Sequence, residues 1–106
     1  MRGSGTVTYR QGVSLARGTT IDAYLSTEAN NALYKLWNEQ KSWPAPLEFP
    51  GGIKAITCEM IQDVINDKLG RSQEAFTQVF QGKFGKEQGE KLALEILDAV
   101  VRNIGR

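Results

Sequence analysis

Apolar positions follow a period of two near the N-terminus and a helical period from Ser26 to the end of the chain. In TTIDAYL, Ile21, Ala23 and Leu25 alternate with Thr20, Asp22 and Tyr24. Side chains two apart share one face of a strand, so this stretch predicts a short strand. Upstream, TVTYRQ alternates more weakly and reads as a short strand or an extended arm. Ser26 then offers an N-cap, and Glu28 puts negative charge in the first turn, where the helix dipole favours it. Ala29, Ala32, Leu33, Leu36 and Trp37 recur at helical spacing, which predicts a first helix from about Thr27 to about Gln40.

KSWPAPLEFPGG interrupts that pattern. Pro44, Pro46 and Pro50 stop a helix and Gly51-Gly52 marks a turn, so an ordered loop pinned by Trp43, Leu47 and Phe49 is expected. Its aromatic residues suit either a contact surface for another protein or a lid folded back on a small core. A second helix opens at Thr57 with Glu59 in its first turn. Met60, Ile61, Val64, Ile65 and Leu69 form its stripe, and Gly70 stands just past its end. Ser72 caps a third helix, with Ala75, Phe76, Val79, Phe80 and Phe84 on one side and Gly85 as its breaker. The last helix spans about Lys86 to Asn103, with Leu92, Ala93, Ile96, Leu97, Val100, Val101 and Ile104 as its apolar side. Gly89 weakens its first turns. The pattern predicts a mostly α (α+β) fold: a short N-terminal strand element followed by four helices.

Composition narrows the function. The chain has 106 residues, 41% apolar and 24% charged, with a net charge of +1, which fits one globular domain. No apolar run approaches the roughly 20 residues that span a bilayer, and a cytoplasmic, non-membrane protein is expected. One cysteine permits no internal disulfide, and the absence of histidine removes the commonest general base and metal ligand. No catalytic residue, metal cluster or cofactor loop emerges, so no enzyme is expected. Glu59 with Asp63, and Glu87 with Glu90, read as solvated helix faces. Cys58 reads as a buried or idle thiol. Residues 1–21 carry Arg2, Arg10 and Arg17 and no acid, so positive charge gathers beside the predicted strand. The opening MRGSG can be an appended leader, and Arg2 carries no weight.

Residues 19–70, taken in order, resemble the ribbon-helix-helix family of DNA-binding repressors, the Arc type. TTIDAYL stands for the ribbon, STEANNALYKLWNEQ for the first helix, Gly51-Gly52 for the turn and ITCEMIQDVINDKL for the second helix. The resemblance implies a homodimer, because a single short strand needs a second copy to complete a two-stranded ribbon. It implies a regulator of the plasmid or phage type, or a relaxation-complex accessory protein, bound to double-stranded DNA. Thr20, Asp22 and Tyr24 would face the bases. Thr57, with the Cys58 and Glu59 amides and Lys54 nearby, would meet the phosphate backbone, and Arg10 and Arg17 would add phosphate contacts. Residues 1–18 would be a basic arm, 19–70 the DNA-binding module and 71–106 a helical extension of a single compact domain. The competing reading is a non-enzymatic protein-binding module, such as an inhibitor, immunity or adaptor protein, using the aromatic and proline-rich loop or the C-terminal helices.

Overall fold

The computed structural model describes residues 19–104. They form a mostly helical fold with one small two-stranded antiparallel sheet. A 3-10 turn at Asp22–Tyr24 leads into α1 (Thr27–Glu39). A hairpin of β1 (Leu47–Phe49) and β2 (Ile53–Ala55) follows. Next come α2 (Cys58–Asp63), which continues as a π-helical turn over Val64–Lys68, α3 (Gln73–Phe84) and α4 (Lys86–Ile104). The weakly alternating TVTYRQ, Arg10 and Arg17 lie outside the described residues.

The helix starts follow their caps. The Oγ atoms of Ser26 and Ser72 accept the amides of Ala29 and Ala75 at 3.1 and 3.0 Å, and Thr57 Oγ1 accepts that of Met60 at 3.2 Å. Each bond satisfies one of the four amides that a helix leaves without an internal acceptor. The predicted stripes meet in one core, where Ala29, Leu33 and Trp37 of α1 join Ile61, Val64 and Ile65 of the second helical segment. Phe76 and Phe80 of α3 and Leu92, Ile96 and Val100 of α4 complete it. Residues on both sides of position 70 therefore share one hydrophobic interior.

The expected strand over Ile21–Leu25 is not formed. Thr20 makes a single antiparallel bridge with Thr57 of the same chain, Ile21 donates its amide to Ile56 O at 3.0 Å, and the backbone then coils. The reason is local competition for hydrogen bonds. Tyr24 N–H finds Ile21 O at 2.9 Å, while Asn30 Nδ2 donates to Asp22 O at 3.0 Å. These bonds satisfy backbone groups that a ribbon would have paired with a second strand. Burial follows suit: Ile21 is buried, Ala23 is exposed and Leu25 is half-buried, so the alternating set does not share one covered face. The N-terminal β-ribbon of the Arc-type comparison is absent from these described residues.

The sheet lies instead in the proline-rich link. Leu47 pairs with Ala55, Glu48 with Lys54 and Phe49 with Ile53. Pro50 and Gly51 take the two central turn positions, and Gly52 N–H closes onto Phe49 O at 3.0 Å. Gly51 has φ +95°, a conformation that a residue with a Cβ rarely adopts, and the Pro-Gly order suits a type II turn. Trp43, the other end of this link, folds inward as a lid. Its ring meets Trp37 edge-on at 4.8 Å and stacks near-parallel with Phe76 at 6.4 Å. The Trp37 indole N–H, which would otherwise be stranded in the core, donates to Pro44 O at 2.7 Å.

Candidate protein-binding surface

Residues directly opposite in an antiparallel pair, and those two apart along a strand, share a face. Leu47, Phe49, Ile53 and Ala55 therefore line one side of the hairpin, and Glu48 and Lys54 the other. Ala55 is buried at the base, whereas Leu47 is 45% and Ile53 64% exposed, and Phe49 is half-buried. The expectation that Leu47 pins the loop to the core is corrected here, because its side chain is exposed although it pairs with the buried Ala55. A two-stranded hairpin of three residue pairs is marginal by itself. Here it is held at its base by Ile56, whose amide donates to Tyr34 Oη at 2.9 Å and whose carbonyl accepts Ile21 N–H.

The residues named for DNA contact fall in different settings. Thr20 is half-buried against Thr57, and Thr57 is 1% exposed. The Thr57 amide donates to Met60 Sδ at 3.4 Å and the Cys58 amide to Thr19 O at 3.0 Å, so both donors are engaged within the chain. Asp22 and Tyr24 share the 3-10 turn. Asp22 Oδ1 accepts from Tyr34 Oη at 3.5 Å, and Tyr24 is exposed. Lys54 lies on the hairpin opposite Glu48. Arg10 and Arg17 lie outside the described residues.

Tyr24 lines a groove of about 550 Å³ together with Glu95, Asp98, Arg102 and Asn103 of α4. One wall of this groove is fixed by a clamp between distant parts of the chain. The Glu95 carboxylate accepts Ser26 N–H at 2.7 Å and Ser26 Oγ–H at 3.2 Å, which ties the start of α1 to α4. Among the described residues no group of three acidic or cysteine side chains is placed to hold a metal ion, and no helix is long and apolar enough to cross a membrane.

Cys58 is fully buried at the start of α2. Loss of water around the thiolate, with the Glu59 charge beside it, pushes the thiol up from 9.0 to about 11. The thiol is therefore protonated at neutral pH and is a poor nucleophile. A group whose folded pKa is raised contributes stability that is complete below its unfolded pKa and is lost as pH rises through the folded one. Denaturant titrations are expected to show a fall of about 2–3 kcal/mol between pH 9 and 11 from this thiol. Tyr34, raised chiefly by burial, adds a loss of the same sign at alkaline pH. Cys58→Ala should flatten the thiol's part of the profile; an unchanged slope would show that the thiol does not control it.

No protein-family model matches the chain, and neither a curated protein nor a solved structure matches it.

Proposed function

We propose that the chain is a non-enzymatic protein-binding module that offers the apolar side of its β1–β2 hairpin to a partner protein. The observation that carries this reading is the pair of outward aliphatic side chains, Leu47 and Ile53, on a hairpin with no third strand among the described residues. Large apolar groups held on a projecting hairpin gain by being covered. The near-neutral net charge suits a protein partner better than a polyanion. Of the two amides that the DNA-binding reading assigns to phosphate, that of Cys58 is donated to Thr19 O within the chain.

The test uses a photo-crosslinking phenylalanine analogue at position 53, in extracts of the source organism. The captured protein, once purified, is expected to bind the wild-type chain directly. Leu47→Glu or Ile53→Glu should weaken that binding at least tenfold, and both exposed positions tolerate the change without unfolding. Strong, salt-sensitive retention on duplex DNA, with no protein captured, would instead favour a DNA-binding regulator.

A further inference from the structure

A strand added beside β1 would set its side chains against the exposed Leu47 and the half-buried Phe49. Main-chain direction decides whether such a strand can be held. In an antiparallel pair the N–H and C=O of one residue point to the same side, and successive residues alternate. Phe49 turns towards β2, because it pairs with Ile53 and its carbonyl accepts Gly52 N–H at 3.0 Å. Leu47, two residues earlier and opposite Ala55, turns the same way. The positions that turn outward along this edge are therefore 46, 48 and 50, and they hold Pro46, Glu48 and Pro50. Proline has no N–H, so two of the three donors that the edge would offer are missing.

The edge of β2 is closed by other means. Ile56 turns away from β1: its amide donates to Tyr34 Oη at 2.9 Å and its carbonyl accepts Ile21 N–H at 3.0 Å. Lys54, the outward position two residues before it, carries an exposed positive charge, which discourages pairing at a sheet edge.

We infer that Pro46 and Pro50 close the outer edge of β1 to strand addition, so that no extended segment, of a second copy or of another protein, can widen the sheet on that side. A strand needs a ladder of bonds to offset the ordering of its backbone, and Glu48 supplies a single donor between two prolines. Pro50 also suits the first central position of the turn through its fixed φ. Pro46 lies outside the turn and has no such use, so it reports on the edge alone. The inference concerns main-chain groups and holds whether or not the apolar side of the hairpin receives a partner.

Restoring the missing donors tests it. Pro46→Val with Pro50→Ala returns both N–H groups and leaves Gly51 and Gly52 in the turn. In sedimentation equilibrium from micromolar to millimolar concentration, this double variant is expected to self-associate at least about tenfold more tightly than the wild type, with a native melting curve. Adding Glu48→Pro to it removes the donor between them and should reverse the gain. Pro46→Val alone, which leaves the turn untouched, should show a smaller gain of the same sign. In the wild-type monomer the Glu48 amide should exchange its hydrogen as fast as an unprotected one. Folded variants that associate no more tightly than the wild type, a gain that Glu48→Pro leaves intact, or a protected Glu48 amide in the wild-type monomer would each overturn the inference.

Discussion

Replacing Gly89 with alanine is expected to destabilise the protein by about 3 kcal/mol, whereas Gly82→Ala should stabilise it by about 0.5–1 kcal/mol. Both glycines lie inside helices, and helix propensity alone predicts a gain at each. They differ in what surrounds them. A methyl group at Gly82 would meet nothing within 4 Å. At Gly89 it would collide with the Gln81 backbone and stand 2.6 Å from the Phe80 carbonyl carbon. These are main-chain atoms of α3, which cannot turn aside as a flexible side chain would. Either α4 must move away from α3, uncovering Phe80, or the bond angles must deform. The approach is so close because the helices are joined by a single residue, Gly85, at φ +99° and ψ 159°, a conformation nearly restricted to glycine. Urea titrations of the two variants should shift in opposite directions. A stable Gly89→Ala protein would mean that α3 and α4 do not cross at this point.

Truncating Trp43 to alanine is expected to cost about 3–5 kcal/mol, a large part of the 5–15 kcal/mol typical of a whole domain. The indole is 8% exposed and is the only large side chain that the link from α1 to β1 sends inward. It touches both Trp37 and Phe76, so its loss opens a cavity between α1 and α3 that no neighbour can fill without moving a helix. Trp43→Phe should recover a substantial part of the loss by keeping an aromatic face for Phe76. The near-UV circular dichroism arising from the coupled indoles should disappear in both variants. Small losses in Trp43→Ala, below about 1 kcal/mol, would show that the link is not packed as a lid.

The three side-chain caps at Ser26, Thr57 and Ser72, and the buried stripes that follow them, were legible because each is set by residues within one or two helical turns. By propensity Gly89 is a weakness of α4, since a sequence displays the propensity of a residue and not the backbone that passes beside it. The sequence pattern presents the hairpin as a loop. Its strands are only three residues long and prolines flank the first, so alternation has no length in which to appear. Leu94 belongs to the other side of α4 from its apolar stripe, and a pattern that finds one apolar face passes over a second.

By itself the sequence determined the helices, their starting points and most of the side chains they bury, because those depend on neighbours three or four residues away. Only the tertiary structure decided the course of Ile21–Leu25 and the exposure of Leu47 and Ile53. Seven alternating residues suit a strand or a coil almost equally, and the choice passed to the acceptors and donors that Ile56, Thr57 and Asn30 bring from elsewhere in the chain. Tertiary structure likewise left the hairpin's apolar side and the outer face of α4 uncovered, since the core closes without them.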